Sequence, residues 1–252
     1  MKTISRLKGE SFKGAAAYIM RDYRYDNLFD KKHSYAHLKD LLYSEVLVPD
    51  YAPQKLHDLD TLLAEIDRAE KRYDARTGRA VRLTLPNDKE ISNEDRINLT
   101  RQYVKEAFIS QGMCAVIALH EGRNEDPAKN NPHAHVLITD RPVDENGFCA
   151  CKNREWNTKD FLNRCRALWA EMQNELFREK GMEIRLSHES LKVQGIDREP
   201  TLPLGRAATA LERKGIHTER GNHNREIIEK EQQKQAELQR RRERHRQYEL
   251  SR

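Results

Sequence analysis

Short segments with alternating or continuous apolar residues predict the strands of this chain. Apolar and polar residues alternate in RAVRLTLP (79–86), while CAVIALHEG (114–122) and HAHVLITDRPV (133–143) are nearly continuous apolar runs. KTISRLK (2–8) and SEVLVP (44–49) are shorter segments of the same kind. Alternation is typical of a strand with one buried face, and a continuous run is typical of a strand buried on both. We therefore predict five strands.

Helical spacing occurs in three longer segments. Over residues 54–76, apolar residues recur every three or four positions, with charged residues between them. Ser92 begins a Ser-x-x-Asp capping box, which predicts a helix to about residue 110. Thr158 can cap a third helix, with apolar residues on one face, over residues 158–181. Two of these helices lie between predicted strands, and the third follows the last strand.

The order of these elements predicts an α+β fold with a central antiparallel sheet flanked by helices. The strands at 114–122 and 133–143 are joined by a polar, turn-rich loop with no predicted helix. A parallel pair would need a longer crossover, so these two strands are expected to pair as an antiparallel hairpin. Helices that cover the faces of such a sheet would complete its core.

The positive charge of the chain is concentrated near its C-terminal end. The net charge is +5; residues 201–252 hold 13 Lys and Arg against 8 Asp and Glu, whereas residues 1–200 hold 33 of each. Such an excess suits a polyanionic partner, although it is also compatible with a merely solvated helix. We predict a folded domain over 1–200, a glycine-containing basic extension over 201–225, and a charged helical or disordered tail over 226–252.

The remaining composition points to a cytoplasmic protein. No apolar stretch approaches the roughly 18 residues of a membrane-spanning helix, and the N-terminal residues hold no apolar signal segment. The four cysteines are too few and too scattered for a disulfide framework, which predicts reduced thiols.

Three histidines form a candidate metal site. His133 and His135 are two residues apart on one predicted strand and therefore lie on the same face. His120 ends the neighbouring strand, so the three imidazoles can converge at one end of the sheet. Neutral imidazoles can bind a divalent metal and leave coordination positions open for substrate. The alternative is that the histidines have a structural role.

Tyr18 is the candidate nucleophile, because it follows the small residues of GAAAY. A phenol with an ordinary pKa of about 10 is mostly protonated at neutral pH, so it needs an activated electrophile. A metal on a scissile phosphate would supply one. Alternatively, Tyr18 is a half-buried aromatic residue that anchors the first helix.

Five stretches resemble MobA/MobL-type conjugative relaxases of the HUH (histidine-hydrophobe-histidine) endonuclease superfamily. The resemblance covers residues 1 to about 225, and the stretches occur in the order expected for that family. The stretches are SFKGAAAY (11–18), SEVLVP (44–49), NNPHAHVLITDR (130–141), EWNTKDFLNRCRALW (155–169) and SHESLKVQGIDREPT (187–201).

This resemblance implies an HUH, palm-like relaxase domain that nicks one DNA strand at a plasmid origin of transfer. It implies that Tyr18 attacks the phosphate and stays on the 5′ end, leaving a free 3′ hydroxyl, and that the strand is later rejoined. It also implies that His120, His133 and His135 hold Mg²⁺ or Mn²⁺. The expected partners are origin DNA, as a hairpin plus a single strand, and auxiliary mobilisation and coupling proteins.

The sequence departs from the family pattern in the strand at 79–86. Relatives tend to carry a glutamate there, whereas this chain has Ala80 and Arg82 and no carboxylate. Its role, as a base or as support for a histidine, would have to be performed by another residue. The candidates are Asp22, Asp26 and Glu121.

Basic and aromatic residues near Tyr18 and in the extension are candidate DNA contacts. Tyr23 and Tyr25 are also close enough in sequence to replace Tyr18 as the nucleophile or to serve a second transfer step. The predicted DNA-contacting residues are Arg21, Arg24, Tyr25, Arg206, Arg213 and Lys214.

Two other functions fit parts of the pattern. A rolling-circle replication initiator of the same superfamily commonly has its tyrosine after the histidine pair, but no tyrosine lies between Tyr103 and Tyr248. A non-enzymatic basic DNA-binding protein would need neither the metal nor Tyr18. Many relatives continue into a helicase or primase, and the sequence does not decide whether this chain is a whole protein or part of a longer one.

Overall fold

The computed structural model describes residues 1–122 and 130–250. These residues form two compact units, Met1–His188 and Glu189–Arg252. No described helix is both long enough and apolar enough to cross a membrane. For Arg206, His245 and residues 247–250, the structure describes the helical backbone but not the side chains.

The secondary structure consists of nine strands and six α-helices within the described ranges. In chain order they are β1 (Lys2–Ser5), α1 (Phe12–Met20), β2 (Tyr23–Asp26), β3 (Lys31–Ser34), β4 (Leu41–Leu47), α2 (Leu59–Ala69), β5 (Arg76–Thr84), α3 (Asn93–Ala107), β6 (Ala115–His120), β7 (His133–Thr139), β8 (Val143–Asp144), β9 (Gly147–Phe148), α4 (Lys159–Glu179), α5 (Gly205–Arg213) and α6 (Glu219–Leu250).

A five-stranded sheet forms the centre of the first unit, with the strand order β1-β5-β7-β6-β4. All four neighbouring pairs are antiparallel. Two small hairpins, β2–β3 and β8–β9, lie outside it. The predicted α+β fold with a central antiparallel sheet is therefore confirmed, as is the hairpin pairing of β6 with β7.

Each face of the sheet packs against its own pair of helices. On one face, residues such as Ile117 and Val136 join a buried cluster with α3 and α4. On the other face, Val116, Ala118 and Leu137 join a second cluster with α1 and α2. Because successive side chains of a strand point to opposite faces, β6 and β7 contribute to both clusters and are buried on both sides.

Several predicted elements, including the strand expected over 133–143, are shorter than the sequence pattern indicates, and two of them show a physical cause. The helix expected over 54–76 is a 3-10 turn followed by α2, because the Asp58 side chain accepts a hydrogen bond from Thr61 N and starts a new helix there. The strand expected over 2–8 ends at Ser5. Arg6 follows with a buried guanidinium that pairs with Asp67, which turns the chain out of the sheet.

The predicted helix caps at Ser92 and Thr158 are confirmed. Ser92 and Asp95 form the reciprocal capping box, and the Thr158 hydroxyl accepts from Phe161 N. In the second unit, residues 226–250 of the segment predicted to be a helical or disordered tail belong to the helix α6. The structural division falls after His188, and the functional division at residues 200 and 225 stays a prediction.

Candidate metal and nucleophile site

The sheet register brings three imidazoles together. His120 on β6 lies directly opposite His133 on β7, and His135 lies two residues further along on the same face. The ring centroids are 5.3 Å apart for His120 and His133, and 4.9 Å apart for each of the other two pairs. One nitrogen from each ring lies within 4.8 Å of the others. These three residues are called the histidine cluster below.

Burial keeps the histidine cluster neutral at neutral pH. Desolvation lowers the pKa of His135 to about 3 and that of His120 to about 4. Burial also lowers the pKa of His133. A neutral imidazole carries one nitrogen with a free lone pair, which is the form that can bind a metal.

The hydrogen bonds of the cluster show which nitrogens could bind a metal. His133 Nδ1 lies 2.7 Å from the Asn131 carbonyl and donates to it, which leaves the Nε2 lone pair for another partner. His135 Nε2 is buried and has no hydrogen-bond partner among the described residues. A buried nitrogen without a partner is costly, and a metal would satisfy it. These two rings fit a divalent ion as they stand.

His120 differs because both of its nitrogens are already engaged. Nε2 lies 2.7 Å from the Ile19 carbonyl and donates to it, while Nδ1 accepts from Arg21 Nη2 at 2.9 Å. His120 could therefore bind a metal only if Arg21 released Nδ1. Imidazole donors favour transition ions over Mg²⁺, so Mn²⁺ matches this donor set better of the two predicted ions.

Tyr18 lies beside the histidine cluster in the last turn of α1. Its ring meets that of His135 edge-on at a centroid distance of 5.6 Å, and that of Tyr35 at 5.3 Å. The side chain is 38% exposed, so a substrate can reach it. Ala16 and Ala17 are fully buried, and these small residues let α1 pack closely on the sheet. The predicted nucleophile and the predicted metal ligands are thus neighbours.

Arg21 connects α1 to the histidine cluster, and its side chain is buried. It ends the helix with a left-handed φ of 55°. Its guanidinium donates to both carboxylate oxygens of Asp40, at 2.8 and 3.0 Å, and to the Tyr18 carbonyl at 2.8 Å. The Arg21 and Asp40 side chains are 3% and 6% exposed. Arg21 therefore positions Tyr18 and His120 and is not available for a phosphate in this arrangement.

The Arg21 guanidinium stays charged although it is buried. Burial opposes the charge, but the interactions with Asp40 and Tyr18 outweigh it and raise the pKa of Arg21. Its Cζ lies 4.7 Å from the centroid of the Tyr18 ring, which is within the range of a cation–π contact. Sequence reasoning did not identify Asp40, because an aspartate before an apolar strand looks like an ordinary turn residue.

We predict that Arg21→Ala destabilises the protein by about 3–5 kcal/mol, because it removes a buried guanidinium that is paired with the buried Asp40 carboxylate. Arg68→Ala is the control: the Arg68 side chain is 70% exposed and pairs with Glu65 within α2, so the loss should be below about 1 kcal/mol. Urea unfolding followed by circular dichroism measures both. Equal losses for the two variants would contradict the role assigned to Arg21.

The other predicted DNA contacts lie in different places. Arg24 is engaged with two aspartates, and Tyr25 is exposed with its hydroxyl donating to Asp30. Arg213 ends α5 and Lys214 is its C-cap residue. The Arg206 side chain lies outside the described residues. The ring contacts that the structure describes do not connect Tyr25, or Tyr23 on the same strand, with the histidine cluster. The proposed DNA contacts of these residues remain predictions.

None of the three candidate carboxylates directly contacts a cluster histidine in the described interactions. Asp22 pairs with Arg24, and Asp26 is buried 3.9 Å from His33. Glu121 is exposed, and its backbone N–H donates to the Asp40 carbonyl. The carboxylate that reaches the cluster is that of Asp40, which acts on His120 through Arg21.

Comparisons with known proteins match most of the chain. A sequence model of the MobA/MobL family matches residues 10–214. The probable mobilization protein MobA of Bifidobacterium longum is 26% identical over 269 residues, covering 90% of this chain and 46% of that protein. The conjugal transfer protein TraA of Agrobacterium fabrum is 29% identical over 211 residues, covering 71% of this chain and 18% of that protein. The chain thus spans less than half the length of these relatives.

A solved structure is similar in three dimensions. It was described as the molecular basis of vancomycin resistance transfer in Staphylococcus aureus, and it superposes with a TM-score of 0.66 at 28% identity. The match covers 75% of this chain and 96% of that one. The region matched by the family model includes α1 with Tyr18 and the whole histidine cluster.

Proposed function

Because the chain belongs to the MobA/MobL family, as the resemblance of its sequence predicted, we propose that it is a plasmid mobilisation relaxase. It cuts one strand of its origin-of-transfer DNA by transesterification and later rejoins it. The substrate is a DNA hairpin with an adjacent single strand, and auxiliary mobilisation and coupling proteins act with it in the cytoplasm. Membership of the family supports a role in mobilisation, and the nicking reaction, the DNA substrate and the partners are our proposal.

One observation carries the proposal: the exposed Tyr18 ring lies against a cluster of three neutral imidazoles. The phenolic oxygen forms a bond to phosphorus as the bond from phosphorus to the 3′ oxygen breaks. The proton lost by the phenol is balanced by the proton gained by the 3′ hydroxyl. One phosphodiester replaces another, so the step can run backwards and rejoin the strand.

The residues of this chain hold the reacting groups in place. Arg21 fixes the end of α1 through Asp40 and the Tyr18 carbonyl, which orients the nucleophile. His133 and His135 would hold the divalent ion, with His120 as a third ligand when Arg21 releases it. When bound, the ion would polarise the scissile phosphate and stabilise the charge that develops on its oxygens. A nucleophile that precedes the histidine pair favours a relaxase over a replication initiator.

The proposal is tested by incubating the protein with supercoiled plasmid that carries its own origin of transfer, with Mn²⁺ and with Mn²⁺ plus a chelator. We expect relaxed plasmid with protein attached to the 5′ end of one strand, and no such product with the chelator. Mass spectrometry of the DNA-bound peptide identifies the attached residue. If no covalent product forms under any metal condition, the relaxase proposal fails and a DNA-binding role remains.

A further inference from the structure

Arg82 is a cation beside the histidine cluster that the mechanism above does not use. The register of β5 and β7 pairs Arg82 with His135, and Thr84 with His133. Residues directly opposite each other in an antiparallel pair share one face, so Arg82 rises on the same side of the sheet as the cluster. Its side chain is exposed, and it makes no hydrogen bond or ion pair with the residues that the structure describes.

Arg82 lies close to the histidine cluster. It is directly opposite His135 on the neighbouring strand, and the Cβ atoms of such a pair are about 4.5–5.5 Å apart. Arg21, the other cation at the cluster, is paired with Asp40, so its charge is largely balanced. Arg82, in contrast, has no ion-pair partner among the residues that the structure describes.

An unbalanced cation is unfavourable next to a metal site. A divalent ion bound by the histidine cluster would be repelled by Arg82, because like charges at short range oppose each other. The repulsion is removed when an anion lies between the two cations. Guanidinium groups bind the oxygens of phosphates well, and a metal on the same phosphate would complete the arrangement.

We propose that Arg82 binds the scissile phosphodiester together with the metal and thereby makes metal binding depend on bound single-stranded DNA. The inference rests on the proposed nicking function. Free protein should bind Mn²⁺ weakly, and DNA should tighten that binding. By linkage, Mn²⁺ must tighten DNA binding by the same factor.

The test measures Mn²⁺ affinity by electron paramagnetic resonance of free Mn²⁺, with and without a single-stranded oligonucleotide from the protein's own origin. All variants carry Tyr18→Phe, so that the DNA stays intact. We expect Arg82→Gln to bind Mn²⁺ at least about fivefold more tightly than the parent without DNA, and to lose most of the tightening that DNA causes. Arg82→Lys keeps the charge and should restore the weak binding without DNA.

Arg76→Gln is the matched control, because it removes the same charge from the other exposed end of β5. Six residues separate the two positions, or roughly 20 Å along the strand, which exceeds the screening length of about 8 Å at physiological salt. The proposal is overturned if Arg82→Gln and Arg76→Gln give the same Mn²⁺ affinities, or if Arg82→Gln weakens Mn²⁺ binding without DNA. Because no cleavage is needed, this result is independent of the nicking assay.

Discussion

Replacement of Tyr18 by phenylalanine is expected to abolish the covalent DNA product, with a loss of about 10³-fold or more in its rate of formation. Phenylalanine keeps the ring that packs against His135 and Tyr35 but lacks the oxygen that would bond to phosphorus. The variant should therefore fold and bind origin DNA as the parent does. Gel analysis of protein attached to labelled origin DNA measures the adduct, and a binding assay on the same DNA measures affinity.

Three neighbouring tyrosines serve as controls. Tyr23→Phe and Tyr25→Phe test the alternative nucleophiles on β2, whose rings are exposed. Tyr35→Phe tests the aromatic neighbour of Tyr18. All three variants should form the adduct at close to the parent rate. If Tyr18→Phe still forms it and one of the others does not, the nucleophile has been assigned to the wrong residue.

His135→Ala is expected to lower adduct formation by roughly 10³-fold, because polarisation of the phosphate by a metal contributes several kcal/mol to transition-state stabilisation. His135 is the cleanest of the three histidines to test, since its Nε2 has no partner among the described residues and its removal breaks no hydrogen bond there. His120→Ala would also remove the bonds to Ile19 and Arg21 and so would disturb the fold. Calorimetry with Mn²⁺ should show weakened binding in parallel.

The control for this experiment is His57→Ala, which removes an exposed imidazole from the turn before α2. It should leave both Mn²⁺ binding and adduct formation unchanged. If His135→Ala forms the adduct at the parent rate at both saturating and low Mn²⁺ concentrations, His135 has a structural role only.

Sequence patterns predicted the elements of the sheet well and their ends less well. Ser92 and Thr158 cap their helices as expected, because a cap depends on hydrogen bonds within one turn of the chain. Asp58 also caps a helix, but it lies inside a longer stretch with helical spacing, and the periodicity concealed the break. Strand ends such as Ser5 depended on a distant partner: the Arg6 side chain pairs with Asp67, 61 residues away.

The candidate site also combines features that the sequence predicted with features that only the structure showed. That His133 and His135 share a face follows from the two-residue repeat of a strand, and it was visible in the sequence alone. The roles of Arg21 and Asp40 were not visible. Arg21 lies 19 residues from Asp40 and 99 from His120, and only the packing of α1 on the sheet brings these groups together.

The amino-acid order alone determined the local geometry of this protein, because repeats, caps and same-face placement arise from backbone dihedrals over a few residues. Tertiary structure decided that β5 lies beside β7, which sets Arg82 opposite His135, and it fixed the register that sets His120 opposite His133. Strand register is selected by the burial of both sheet faces against helices from distant parts of the chain. For that reason the Arg21–Asp40 pair and the position of Arg82 beside the histidine cluster emerged only in three dimensions.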